Sequence, residues 1–203
     1  PLGIFFQPPD GTPQPETSFN VYNVGALIGD IEANAGTSAL LENAGSIIGD
    51  IAMTAGVQTG DTETQVLEET TILDDGTERS DQFTTTTSRT SFTPGITELV
   101  NDDTGIIEGN VGLSGSDQVL LSTSGVIDGP AVLSSAYQEF LQQDTTLART
   151  TLTPEGGEGF SFFSVSNETR STNIGGDLTA IVGPGGVITG GLTVFTNAGA
   201  ANV

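Results

Sequence analysis

Apolar residues recur along this chain in a nine-residue pattern that reads glycine, any, apolar, any, glycine, any, apolar, any, apolar. The alternation of apolar with other residues is typical of a β-strand that buries one face. A helix would lose about 1 kcal/mol at each interior glycine relative to alanine. The pattern therefore predicts short strands separated by glycines. It occurs five times: GALIGDIEA from Gly25, GSIIGDIAM from Gly45, GIIEGNVGL from Gly105, GVIDGPAVL from Gly125 and GVITGGLTV from Gly186.

The apolar positions of these five repeats predict one inward-facing row of side chains in each. The fifteen predicted core residues are Leu27, Ile31, Ala33, Ile47, Ile51, Met53, Ile107, Val111, Leu113, Ile127, Ala131, Leu133, Ile188, Leu192 and Val194.

The spacing of the repeats predicts a solenoid. Gly25 and Gly45 are twenty residues apart, as are Gly105 and Gly125. Short strands in units of about twenty residues fit the coils of an all-β β-solenoid, with glycine where the chain turns a corner. A β-sandwich built from the same strands is the alternative fold. The predicted corners are Gly25, Gly29, Gly45, Gly49, Gly105, Gly109, Gly125, Gly129, Gly186 and Gly190.

The sequence also has a second, longer period of eighty residues. Residues 70–91 align with residues 150–171, and each segment has a glycine-centred turn between threonine-rich alternating runs, which is a hairpin signature. The expected organisation is a proline-rich arm or cap at 1–18 followed by a single β domain at 19–203. Its parts are coils at 19–56, a hairpin at 57–97, coils at 98–136, a hairpin at 137–172 and a final coil at 173–203.

Three stretches around the first glycines, YNVGALIGDI, ENAGSIIGDI and NDDTGIIEGNV, suggest a family-level likeness. They resemble the coils of bacterial secreted β-helix proteins, namely autotransporter and haemagglutinin-like adhesin passengers. The resemblance implies an extracellular or cell-surface location and a structural or adhesive role. It implies no enzymatic activity.

Composition excludes several classes of function. Twenty-six acidic residues face four arginines, which gives a net charge of −22 and argues strongly against nucleic-acid binding. The absence of histidine and cysteine removes catalytic triads, thiol chemistry and the usual zinc sites. No apolar run reaches the roughly 20 residues of a membrane span. We therefore expect no enzyme. The candidate carboxylate pairs for a polysaccharide-acting enzyme, the less favoured alternative, are Asp74/Asp75, Asp102/Asp103 and Glu155/Glu158.

Two polar positions recur from repeat to repeat. Asp30, Asp50 and Asn110 follow the second glycine of their repeats, so stacked coils would bring their oxygen atoms together. This predicts a calcium site, with a solvated acidic face as the alternative. Asn23, Asn43 and Asp103 stand two residues before the first glycine and predict a ladder of stacked polar side chains.

The chain ends complete the functional hypothesis. The segment PLGIFFQPPDGTPQPE carries an apolar cluster, Ile4, Phe5 and Phe6, and no amphipathic capping helix is expected after the last repeat. We expect a secreted structural subunit that polymerises head to tail with itself, with the arm completing a neighbour's open sheet edge. The alternative is an adhesin-type module that binds glycans or surfaces through its hairpins.

Overall fold

The computed structural model of the protein describes residues 4–6, 17–153 and 155–203, and in these residues it contains 21 strands and no helix. The prediction of an all-β fold is confirmed. None of the described segments is a helix of the length and apolarity that crossing a membrane requires. The chain divides into two compact units. The first comprises residues up to Thr59, Phe92–Gln138 and Asn173–Val203, and the second comprises Gly60–Ser91 and Glu139–Thr172.

The first unit contains three parallel sheets, and the strands are numbered in chain order. Sheet A consists, in spatial order, of β1 (Ile4–Phe6), β4 (Ile31–Ala35), β7 (Ile51–Ala55), β12 (Val111–Gly115), β15 (Ala131–Ser135) and β20 (Leu192–Thr196). Sheet B consists of β2 (Ser18–Asn23), β5 (Ser38–Asn43), β10 (Ile96–Asn101), β13 (Gln118–Thr123), β18 (Asp177–Val182) and β21 (Ala201–Asn202). Sheet C consists of β3 (Ala26–Ile28), β6 (Ser46–Ile48), β11 (Ile106–Glu108), β14 (Val126–Asp128) and β19 (Val187–Ile188).

The strand register aligns equivalent positions of the five repeats. In sheet A, Ile31 pairs with Ile51, Ile51 with Val111, Val111 with Ala131, and Ala131 with Leu192. Sheets B and C keep the same correspondence between repeats. Each repeat therefore contributes one strand to sheet B, one to sheet C and one to sheet A, in that order along the chain.

The core of the first unit contains all fifteen residues that the alternation predicts. Eleven of them are buried, and the other four, Leu27, Ile188, Leu192 and Val194, are partly buried and pack against the core. Burying a side chain the size of leucine or isoleucine contributes about 1.5–3 kcal/mol. Each core side chain of an inner repeat packs against the equivalent residue of the repeat before it and of the repeat after it. Truncating one of them would therefore remove packing from both neighbouring repeats.

The second unit contains most of a sheet of long strands, called sheet D, whose outermost residues, such as Tyr137, belong to the first unit. Its spatial order is β17 (Glu158–Ile174), β16 (Tyr137–Leu152), β9 (Glu78–Phe92) and β8 (Gln58–Ile72). The central strands β9 and β16 pair over thirteen positions, from Glu78 opposite Leu152 to Thr90 opposite Phe140. The turns after β8 and β16 contain Gly76 and Gly156, eighty residues apart, with φ angles of 82° and 83°.

Candidate functional site

A ladder of buried polar side chains runs through the ends of the sheet B strands. The Asn23 amide donates to Asn43 Oδ1 at 2.7 Å, Asn43 donates to Asn101 Oδ1 at 2.8 Å, and Asn101 donates to Thr123 Oγ1 at 3.1 Å. Asn43 is fully buried, and Asn101 and Thr123 are each 1% exposed. An amide is suited to this position because it donates and accepts at once, so each rung satisfies the next.

The third rung of the ladder is Asn101, and the prediction of Asp103 for it is wrong. Asn101 pairs in register with Asn43, whereas Asp103 is exposed to solvent. The cause is a longer turn: three residues lie between Asn101 and Gly105, but only one lies between Asn43 and Gly45. Counting back from the glycine therefore reaches the turn instead of the strand.

The ladder amides also bind the backbone of the adjacent turns. Asn43 Oδ1 accepts the Gly45 N–H at 3.3 Å, and Asn43 Nδ2 donates to the carbonyl oxygens of Gly45 at 3.2 Å and Ile106 at 3.4 Å. Buried polar groups are costly unless they are hydrogen-bonded. The ladder thus stabilises the turns between sheets B and C at a buried position.

The three residues of the predicted calcium site lie in one exposed row. Asp30 Oδ1 accepts the backbone N–H of Asp50 at 2.9 Å, and Asp50 Oδ1 accepts both the backbone N–H of Asn110 at 2.9 Å and its side-chain amide at 3.1 Å. Each carboxylate therefore binds the next repeat through hydrogen bonds. In the described part of the chain, no three acidic, histidine or cysteine side chains are grouped so as to hold a metal ion. Calcium binding by this mixed Asp/Asn row stays a prediction.

The ten glycines predicted as corners all lie between strands. Gly45 and Gly49 illustrate the two reasons for glycine there. A Cβ at Gly45 would overlap the carbonyl oxygen of Gly25, which belongs to the neighbouring repeat. Gly49 has a φ of 148° and a similar close approach to the Gly29 carbonyl. Stacked glycines therefore let successive turns lie close together.

The predicted assembly residues Ile4, Phe5 and Phe6 form strand β1, which pairs in parallel with β4 of the same chain. Ile4 lies opposite Ile31 and Phe6 opposite Ala33. The rest of the predicted arm up to residue 16, namely residues 1–3 and 7–16, lies outside the described residues. The strand thus covers an edge of its own chain, and its role in assembly stays a prediction.

The carboxylate pairs considered for catalysis lie in exposed turns or at a strand start. Asp74 and Asp75 belong to the turn between β8 and β9, where Asp75 Oδ1 accepts the Thr77 N–H at 2.9 Å. This bond lowers the pKa of Asp75 below its usual value. Asp102 and Asp103 follow β10, and Glu155 and Glu158 flank the start of β17. The two aspartate pairs therefore occupy turns, where the chemistry of the backbone favours aspartate.

Sheet D carries an ion pair that the sequence reading missed. Asp81 and Arg149 lie directly opposite on β9 and β16, and two guanidinium nitrogens, Nε and Nη2, donate to the carboxylate, at 2.7 and 3.0 Å. Arg79 Nε lies 3.4 Å from the same carboxylate. The hydrogen bonds from Arg149 hold the pKa of Asp81 below its usual value and raise that of Arg149.

Sheet D also holds every cation of the chain other than any terminal amine. All four arginines belong to the second unit, although the acidic residues are shared between the units. Arg89 and Arg170 line one open cavity of about 160 Å³ with Glu139 and Phe140. Arg170 also lines a second cavity of about 190 Å³ with Gln143. Leu141 lines both cavities, so the two are adjacent.

Comparison of the chain with protein-family models, with curated proteins and with solved structures finds no match.

Proposed function

We propose that the first unit is a three-sided β-solenoid and that the protein is a structural subunit. The support for the solenoid is the strand order, in which each repeat adds one strand to sheets B, C and A in turn. The asparagine ladder and the stacked glycines occur at the same place in successive repeats, as coils stacked about 4.8 Å apart would require. In this reading each repeat is one coil, and the two long hairpins of sheet D are insertions.

The proposed function is end-to-end assembly into an extracellular or cell-surface filament. The observation that carries it is the presence of exposed sheet edges. Among the residues that the structure describes, β20 has a neighbour only in β15, β19 only in β14, and β3 only in β6. Edge strands offer unpaired N–H and C=O groups to another chain. Phe195 on β20 is 56% exposed beside one such edge. A second copy stacked on these edges would continue sheets A and C, and such a heterologous contact repeats without closing.

Electron microscopy of the purified chain tests this function. We expect unbranched filaments whose mass per length corresponds to stacked copies. Particles that stay single at all concentrations would contradict the proposal. A variant lacking residues 1–16 separates the arm from the sheet edges. If the arm joins copies, the truncated protein should remain folded, judged by its β-type circular dichroism, and should form no filaments. Filaments of the truncated protein would show that the edges alone are sufficient.

A second candidate function is glycan binding by sheet D. The two adjacent cavities combine donors, Arg89, Arg170 and Gln143, with the acceptor Glu139 and the apolar side chain of Phe140. Sugar hydroxyls both donate and accept hydrogen bonds, and small-molecule pockets are typically about 300–1,000 Å³. Each cavity is smaller than that, so a single sugar ring is the expected occupant. A glycan array probed with the intact chain and with Arg89→Ala tests this candidate. Identical or absent binding by both proteins would reject it.

A further inference from the structure

The two outer edges of sheet D differ in charge. Strand β8 carries four acidic residues, Asp61, Glu63, Glu68 and Glu69, and no cation. Strand β17 has no charged residue between Glu158 and Glu168. Natural sheets protect their edges with charged side chains, and a long uncharged edge is a pairing site. Edge β8 is therefore protected against self-association, whereas the middle of β17 is open to it.

The uncharged part of β17 also exposes large apolar side chains. Phe160 is 69% exposed, Phe162 63%, Phe163 46% and Val165 50%. Phe160 and Phe162 lie on one face of this edge strand and Phe163 and Val165 on the other, so both faces carry apolar side chains next to the strand's unpaired edge. Pairing this edge with another strand would bury apolar surface and satisfy the backbone at the same time.

The sequence of β17 is complementary to itself in antiparallel orientation. Glu158 and Arg170 each lie six residues from Ser164. Two copies of β17 paired about Ser164 would therefore set Glu158 of each copy opposite Arg170 of the other, and Phe163 opposite Val165. The same register sets Phe160 opposite Glu168 and Phe162 opposite Ser166. Opposite charges directly across an antiparallel pair are favourable. Arg170 is free to make this contact, because its ion pair with Glu168 is exposed, with side-chain exposures of 71% and 51%.

We propose that β17 is a dimerisation edge that pairs antiparallel with β17 of a second copy, with Ser164 on the two-fold axis. The partner is another copy of this chain because the pairing is isologous and brings complementary charges together twice. Elsewhere the net charge of −22 makes copies repel each other. The contact joins sheets D of two copies and uses none of the strands β3, β19 and β20, so it is independent of the proposed end-to-end assembly.

Disulfide trapping tests the two-fold axis directly, because the chain has no cysteine. A Ser164→Cys variant should form a covalent dimer under mild oxidation, since a residue on the axis faces its own copy within disulfide range. The matched control is Gln65→Cys, at the middle of the exposed edge β8. Dimers of the first variant but not the second are expected. Equal crosslinking of both variants, or none of the first, would overturn the proposal.

Charge substitutions give a second, non-covalent readout by analytical ultracentrifugation. Phe162→Asp should convert the dimer to a monomer, whereas Val66→Asp on β8, where the side chain is 57% exposed, should leave the dimer intact. Glu158→Arg alone should weaken dimerisation, and adding Arg170→Glu should restore it. A double variant no stronger than the single one would refute the register. Electron microscopy of Phe162→Asp tests the end-to-end contact separately, because this variant lacks the dimer contact but keeps the sheet edges of the first unit. The dimer proposal and the filament proposal can therefore fail independently.

Discussion

Replacing Asn43 with alanine removes the central rung of the asparagine ladder and leaves buried groups without partners. The side chain of Asn101 loses the donor to its Oδ1 at 2.8 Å, and the Gly45 N–H loses its acceptor at 3.3 Å. Each buried, unsatisfied polar group costs about 1–3 kcal/mol. We therefore expect Asn43→Ala to lower the free energy of unfolding by about 2–6 kcal/mol.

The matched control is Asn23→Ala at the end of the same ladder. Its removal leaves Asn43 Oδ1 with the Gly45 N–H, and the freed Gly25 N–H is exposed to water. Asn23 also donates to the carbonyl oxygens of Gly25 at 3.4 Å and Ser46 at 3.2 Å. Because Asn43 Oδ1 keeps a donor and Gly25 is exposed to water, we expect a smaller loss than for Asn43→Ala, of about 1 kcal/mol. The contrast between an inner and an outer rung separates the ladder's contribution from any general cost of losing an asparagine.

Urea unfolding followed by tyrosine fluorescence measures both variants. The two tyrosines, Tyr22 and Tyr137, both belong to the first unit and the chain has no tryptophan, so the signal reports the unit that contains the ladder. Stability is compared through the midpoint and the slope of the transition. Equal losses in the two variants, or a loss below about 1 kcal/mol for Asn43→Ala, would refute the reasoning.

Three further predictions concern the corners, the ion pair and the acidic row. Gly49→Ala should lower the melting temperature by several degrees, because the added Cβ would collide with the neighbouring turn and the φ of 148° disfavours a side chain. Gly25→Ala, with open space around it, should change the melting temperature little. Equal shifts in the two variants would contradict the stacking of glycines. Because the pKa of Asp81 is lowered in the folded state, its pair with Arg149 stabilises sheet D at pH values above the usual pKa near 3.8 and loses that effect as the pH falls through the lower, folded value. Asp81→Asn should therefore flatten the acid side of the stability profile, measured by circular dichroism, and an unchanged profile would argue against it. Calcium added to the chain should raise the melting temperature if the acidic row binds it, and Asp50→Asn should abolish the increase; no heat of binding in calorimetric titration would end the calcium prediction.

The strands of the first unit were predictable because their signal is local. Alternation specifies which side chains face inward, so Ile47 and Met53 could be assigned to the core without knowledge of their neighbours. Glycine spacing located the turns for the same reason. The assignment failed at Asn101, where a turn two residues longer shifts the glycine away from the strand end.

The pairing inside sheet D could not be predicted in the same way. A turn centred on Gly76 indicates that β8 and β9 are neighbours, but it says nothing of the partner on the other side of β9. Asp81 and Arg149 are 68 residues apart and meet only because β9 pairs with β16. A shift of β16 along β9 by two residues would keep the same side chains on the same faces and still separate this ion pair. Alternation alone therefore cannot determine the strand register.

Disulfide trapping between outward positions of sheet A tests the parallel stacking of the repeats most directly. Ala52 on β7 lies opposite Gly112 on β12, and Gly112 lies opposite Val132 on β15. With strands about 4.8 Å apart, residues 52 and 112 are within disulfide range, whereas 52 and 132 are about 10 Å apart. We predict an intramolecular disulfide in the Ala52→Cys/Gly112→Cys variant and none in Ala52→Cys/Val132→Cys. A disulfide in the second variant, or none in the first, would contradict the stacked arrangement.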